Sequence, residues 1–307
     1  MHRRRYLAVL AAILIVLLMA ACSPKVMVVD MIGNAMADGG DVYGSDDDPE
    51  FVRESLPFGL KTMEGLLAIS PDNRNLLLAA SRGHTAYAFL LLEDPESKSR
   101  LSLPEMRAQR LRSKQHYLRG RDFALAGLEV AHPGIVARLA AGDVAALADV
   151  SADDASFLYW AGAAWAAAAG VDPGDMQLVA DLVIAASLVR RVLELDESFE
   201  DGSAHEFFIS YEGNRPGGSY DEARLHYERA IELSNGQRAS AHVALAEAVA
   251  IPTQDLELFH DLIRRTIAID PDAVPRLRLA NAIAHRRAAW LVDQVPELFF
   301  ESGDPAS

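Results

Sequence analysis

Apolar residues along this chain recur at helical spacing, and the helices they predict close in one repeated way: hydrophobic, any residue, hydrophobic, then an acidic, serine or proline break. The pattern stands at Leu67-Ala68-Ile69-Ser70-Pro71, Leu193-Glu194-Leu195-Asp196-Glu197, Ile231-Glu232-Leu233-Ser234-Asn235 and Ile267-Ala268-Ile269-Asp270-Pro271. Leu195, Leu233 and Ile269 are separated by 38 and 36 residues, close to the ~34-residue period of tetratricopeptide hairpins. A fainter copy ends at Leu128-Glu129-Val130-Ala131-His132-Pro133. The small, large, small spacing of a second repeat helix fits Ala223, Tyr227 and Ala230. It also fits Phe259, Ile263 and Thr266 before Pro271, and Gly59, Met63 and Leu66 before Pro71. Between 134 and 182 the phase is lost: short helices are predicted at 134–141 and 143–148, then a longer one at 153–169.

The first stretch follows a different rule. Arg3-Arg4-Arg5 leads into fifteen apolar residues, 7–21, that stop at Ala20-Ala21-Cys22. Fifteen residues fall short of the ~20 that span a bilayer as a helix, so a secretory leader fits better than a membrane span. Small residues before the chain's only cysteine suit prolipoprotein processing, with Cys22 as the acylated residue. The expected organisation is a lipoprotein signal over 1–21 and a lipid-anchored tether over 22–48 with a short helix at 25–37. An all-α body of tetratricopeptide-like hairpins, packed as a compact superhelical bundle, then occupies 49–302, and 303–307 form a tail. Asp48 before Pro49 and Glu50 is a helix start, a side-chain cap followed by a proline whose missing amide costs nothing there.

Composition agrees with helices. Half of the residues are apolar, only 7% are aromatic, and alternating Val, Ile and Thr runs are absent. The net charge is −15; taking three arginines with the leader from 29 basic residues leaves 26 against 44 acidic ones. Nucleic acid is therefore excluded as a partner, because its binding needs a basic face. With the one cysteine acylated there is no disulfide, and packing alone holds the body.

The chemistry is read mostly from exclusions. His205-Glu206-Phe207-Phe208-Ile209 begins like a zinc-protease helix, yet Ile209 stands where the second histidine must be. Residues 213–219 are glycine-rich but lack the lysine and the preceding strand of a phosphate loop, and no Gly-x-Ser-x-Gly elbow occurs. The nine histidines are scattered without partners at ligand spacing. No catalytic residue, metal site or cofactor is assigned, and the chain is not read as an enzyme. Phe157, Tyr159, Trp160 and Trp165 lie among alanines and glycine and are either core or the wall of an apolar cavity; His205, Phe208 and Tyr211 are added to that candidate lining. Arg107, Arg110, Arg112, Lys114, Arg119 and Arg121 form either a solvated helix face or a docking strip for an acidic partner; Arg107, Arg110, Lys114 and Arg121 are its candidate residues.

Several of these segments together resemble one family. Asp48-Pro49-Glu50-Phe51-Val52-Arg53-Glu54-Ser55-Leu56-Pro57-Phe58-Gly59-Leu60-Lys61 is similar to the T component of tripartite ATP-independent periplasmic (TRAP) transporters. So are Leu158-Tyr159-Trp160 with Trp165, Asp196-Glu197-Ser198-Phe199, and His205-Glu206-Phe207. The likeness continues at Arg238-Ala239-Ser240 with 245–249, and at Leu279-Ala280-Asn281 with Arg286-Arg287-Ala288 and Trp290-Leu291. The resemblance implies a homotrimeric lipoprotein on the periplasmic side of a bacterial membrane. It implies association with an extracytoplasmic solute-binding protein and a body that accepts or passes a small organic ligand. A structural adaptor for envelope assembly is the alternative.

Overall fold

The computed structural model describes residues 24–38, 41–93 and 101–300, so Cys22 and the apolar run before it lie outside the described residues. Among the described residues every regular element is helical. The longer helices are α1 (Pro24–Asp38), α3 (Pro49–Leu67), α4 (Arg74–Leu92), α5 (Leu103–Ala131), α7 (Ala155–Val171), α8 (Met176–Leu195), α9 (Ser203–Asn214), α10 (Tyr220–Leu233), α12 (Leu256–Ala268) and α13 (Arg278–Asp293). Short ones fill the intervals: α2 (Asp41–Gly44), α6 (Ile135–Ala140), α11 (Ala239–Leu245) and α14 (Val295–Leu298). The segment expected as a helix at 143–148 is a tight 3-10 turn, Val144–Asp149, and α11 runs on into a widened π turn, Ala246–Ala250.

Helix starts follow their caps. Asp48 Oδ1 accepts from the Glu50 and Phe51 amides at 3.0 Å, and Asn73 accepts from the Leu76 amide at 2.9 Å. Ser102 and Glu105 form a capping box, with the Glu105 carboxylate accepting from the Ser102 amide at 2.8 Å. In α3 the residues Val52, Leu56, Leu60, Met63 and Leu67 are buried, a stripe of three- and four-residue steps facing α4. Ala223, Tyr227 and Ala230 are buried, as are Phe259, Ile263 and Thr266. The expected triad in α3 is different: Gly59 and Leu66 are only half-buried, because the buried stripe passes through Leu56, Leu60 and Leu67 instead.

Consecutive helices pack along their lengths, α4 on α5, α5 on α7, α7 on α8 and α9 on α10. Glycines set the closest approaches. A Cβ at Gly162 of α7 would stand 2.6 Å from the Ala185 carbonyl oxygen of α8, and one at Gly213 of α9 would stand 2.6 Å from that of Ala248. The large core runs from Met63 to Phe208, and a second holds Ile209 to Phe299. The chain then closes on its beginning. Ile283 of α13 joins Val52, Leu56, Leu60, Tyr87, Leu90 and Leu91 of α3 and α4 in a third cluster. Beside it Arg286 Nη1 lies 2.6 and 2.7 Å from the two carboxylate oxygens of Glu50, bridging 236 positions in sequence.

Candidate functional site

The aromatic residues of α7 divide into two sets. Phe157 fills the space opposite Gly127 and lies under the Arg74 guanidinium, 4.6 Å from its ring centroid; Trp165 lies under Arg121 at 4.8 Å. Both are buried, as is Phe208, which stacks on His226 with centroids 5.0 Å apart. Tyr159 and Trp160 are half-buried and lie toward the turn between α8 and α9, where Tyr159 meets Phe199 at 5.4 Å. Tyr211 stacks on Phe207 at 5.8 Å and carries Arg215 over its ring. Two surface concavities are lined by other residues: a small one by Glu50, Arg53, Leu90, Glu93, Ile283 and Arg286, and an open one of about 380 Å³ by Asp30, Asn34, Ser70, Asp72 and Asn73 among others.

The turn beside Tyr159 and Trp160 is the most strained backbone described. Glu200, Asp201 and Gly202 follow one another with φ of 43°, 57° and 86°. Left-handed conformations at two non-glycine residues cost on the order of 1–3 kcal/mol each, so surrounding contacts must hold them. Three arginines do so. Arg82 of α4 donates to Glu200 Oε1 at 2.7 Å, Arg276 donates twice to Asp201 Oδ2 at 2.7 and 3.0 Å, and Arg238 donates to Glu206 at 2.8 Å, to Ser203 Oγ at 2.8 Å and to the Glu200 carbonyl. The Arg82 guanidinium also lies 5.7 Å from the Trp160 ring centroid. Burial, with Glu206 and Glu200 adding to it, holds the Tyr159 phenol well above its ordinary pKa, so it stays a neutral hydroxyl. Trp160 Nε1, Arg82 Nε and Arg238 Nε are buried donors without hydrogen-bond partners among the described residues. The seam therefore joins three charged pairs, two rings and three unspent N–H groups.

Scattered in sequence, the histidines are not scattered in space. His84 and His116 approach through their Nδ1 atoms at 2.9 Å, and the Nε2 of His84 lies 3.2 Å from Glu64 Oε1. The same arrangement recurs between His205 and His226, with Nδ1 atoms 2.8 Å apart and Glu197 Oε1 3.2 Å from the outer nitrogen of His205. A carboxylate accepts only, so His84 and His205 donate from Nε2 and present a bare Nδ1, to which the second ring donates. Each pair is thus neutral and shares a chain of two hydrogen bonds. Burial pushes His84, His116 and His226 down to about 4, and lowers His205 as well. Separations of 32 and 21 residues on different helices left no signal in the sequence; only the packing of α4 on α5 and of α9 on α10 reveals it. Among the described residues no three histidine, cysteine or acidic side chains are placed to hold a metal ion.

The basic stretch of α5 is tied down where it meets α7. Arg110 donates to the Val171 carbonyl at 2.9 Å, and Lys114 donates to Asp172 and Asp175 at 2.8 and 2.7 Å, hydrogen bonds that raise its pKa. Arg121 pairs with Asp122, Arg112 donates to the Tyr87 hydroxyl, and Arg119 lies 3.7 Å from Glu64; Arg107 is exposed. Arg110 and Lys114 thus neutralise the C-terminal end of α7, where free carbonyls favour cations.

The class is all-α: helices packed along their lengths, with a polar seam beside the turn between α8 and α9. Comparison with known proteins makes the class specific. Residues 45–299 match the TRAP transporter T-component family, and the chain belongs to that family, which is a transporter component and not an enzyme family. It is also 30% identical over 275 residues to an uncharacterized protein of Treponema pallidum (strain Nichols), an alignment covering 86% of this chain and 84% of that one.

Proposed function

We propose that this chain is the accessory lipoprotein of a TRAP uptake system, anchored at Cys22 on the extracytoplasmic side of the membrane. There it docks the solute-binding subunit and accepts or passes a small organic ligand. The observation that carries the reading is the family match across the whole described body, from residue 45 to 299. The seam at Tyr159, Trp160, Arg82, Glu200 and Arg238 supports the ligand half of it, since unspent N–H donors beside a π face suit a small polar or acidic head group. Acylation supplies the two or more chains that stable anchoring requires.

Affinity capture of the tagged chain from its host's envelope extract, in low and high salt, tests the docking. A solute-binding protein should be the dominant partner. Barrel-assembly factors in its place would turn the reading into an envelope-assembly adaptor. Trp160→Phe keeps an aromatic ring but removes the Nε1 donor with the pyrrole half of the indole, so it should weaken ligand-dependent capture severalfold while costing about 1 kcal/mol of stability. A fall in melting temperature alone would make Trp160 ordinary packing. Cys22→Ser should abolish palmitate incorporation and leave an unprocessed or soluble chain, and normal labelling of that variant would end the lipoprotein reading.

A further inference from the structure

Helix α1 is apolar on both of its sides, and only one side is used. Val29 and Gly33 are buried against α4, a Cβ on Gly33 meeting Leu76 Cδ2 at 3.3 Å, and Asp30 on the same side accepts from Asn73 at 2.8 Å and from Ser70. The opposite side carries Met27, Val28, Met31 and Ile32, exposed by 66%, 49%, 67% and 45%, with exposed Ala35 continuing the row. At 100° per residue these five positions fall within an arc of about 140°; between Met27 and Ala35 that arc contains no charge, with Asp38 entering it only at the last residue of the helix and Lys25 lying about 20° beyond its edge in the first turn. An apolar helix stripe is ordinarily buried against a partner element, and this one is turned away from the body that holds the helix.

We infer that this stripe lies in the bilayer surface, so that α1 is an interfacial helix holding the helical body flat against the membrane by its own side chains in addition to the acyl chains. The inference rests on the anchoring at Cys22 proposed above. Its independent support is covalent reach: Cys22 stands two residues before Pro24, and two residues extend at most about 7 Å. A helix whose first turn is held that close to the acyl chains meets the zone of headgroups and upper acyl chains, where apolar faces settle about 5–10 Å deep. No described helix is long and apolar enough to cross a membrane, α1 included, so the helix lies on the surface rather than across it. Asp30, its inner charge, is spent on Ser70 and Asn73 and faces the body, so the stripe from Met27 to Ala35 carries no charge to be desolvated, and Lys25 and Asp38 stand at the two ends of the helix. Interfacial helices usually present a basic face to water; here the body takes the place of water.

The test uses the full chain, processed in a bacterial host and reconstituted in phosphatidylethanolamine–phosphatidylglycerol vesicles. Because Cys22 is the only cysteine and is blocked by acylation, Met31→Cys adds a single reactive thiol for a fluorescent label. Doxyl-labelled lipids should quench a label at 31 about twofold or more, and leave one at Asp221→Cys, a position with a 96% exposed side chain, unchanged. Val28→Cys repeats the reading should Met31→Cys fold poorly. Palmitate incorporation is followed in the same preparations. Incorporation with an unquenched, water-accessible label at 31 overturns the inference and leaves the anchoring standing. Incorporation with cross-linking between copies through position 31, and no lipid quenching, overturns it in favour of a second copy on the stripe. No incorporation, with loss of the chain from the vesicles, overturns the anchoring and the inference with it.

Discussion

Acidification from about pH 6.5 toward pH 4 is expected to destabilise the folded protein by an amount on the order of 5 kcal/mol. His84, His116, His226 and His242 all have pKa values held near 4, chiefly by burial, whereas in the unfolded chain each titrates near 6.5. In that window the unfolded state binds more protons, so stability is full above pH 6.5 and falls as pH drops toward 4. The total allows for the half-exposure of His116 and His226 and for repulsion inside each pair, which keeps both rings from charging together. Neighbouring cations act the same way: Arg119, Arg112 and Lys61 around the first pair, Arg190 near His226, and Arg265 beside His242. Glu212 and Asp261 oppose them at His226 and His242, and Glu64 does so at His84. Glu197, held near 2 by hydrogen bonds from Arg229, stays ionised in the folded state, and its stabilisation begins to be lost only below about pH 5, where the unfolded carboxyl takes up a proton.

Urea midpoints measured across this range check the expectation. Replacing one ring of each pair, His116→Gln with His226→Gln, keeps an N–H donor toward His84 and His205 and removes two of the titrating groups. The slope of stability against pH should fall by about half. An unchanged slope would assign the acid sensitivity to carboxylates elsewhere.

Gly162→Val should cost about 3 kcal/mol, against a gain of about 0.5–1 kcal/mol for Gly65→Ala. Both glycines lie inside helices, where intrinsic propensity alone would favour replacing either. At Gly65 nothing stands within 4 Å of a new Cβ. At Gly162 the Cβ would press on the Ala185 carbonyl oxygen and on Val189 Cγ2, both at 2.6 Å, and neither is the free end of a flexible chain. α7 and α8 would have to separate, and the core that runs through Ala161, Trp165, Ala185 and Val189 would open with them. Thermal melts of the two variants give the signs directly; equal shifts would mean that the contact of α7 with α8 relaxes freely.

Much of the helical order could be read in advance because its causes are local. Asp48 with Pro49 marks the start of α3, and a largely apolar composition with few aromatics and no alternating Val, Ile and Thr runs points away from sheets. The failures have two origins. Val144–Asp149 winds as a 3-10 turn, a choice between neighbouring hydrogen-bond patterns that a six-residue segment leaves open. The register expected for Gly59, Met63 and Leu66 gave way to the stripe through Leu56, Leu60 and Leu67, because α4 and α13 decide which side of α3 is inside.

The candidate residues divide along the same line. Phe157, Tyr159, Trp160 and Trp165 were visible as a run of rings, but which of them fill the core and which reach the seam depends on where Gly127, Arg74, Arg121 and Arg82 come to rest. Arg82, Glu200 and Arg238 carried no mark of their own, and their meeting joins positions 82, 200 and 238 of the chain. By itself the sequence determined the helical class, the start of α3 and the resemblance that the family match bears out, the first two because they rest on side chains acting on their own turn of backbone. Only the tertiary structure decided the histidine pairs, the left-handed turn clamped by three arginines and the bare side of α1. Each is a relation between residues far apart in the chain, made by packing and invisible to spacing.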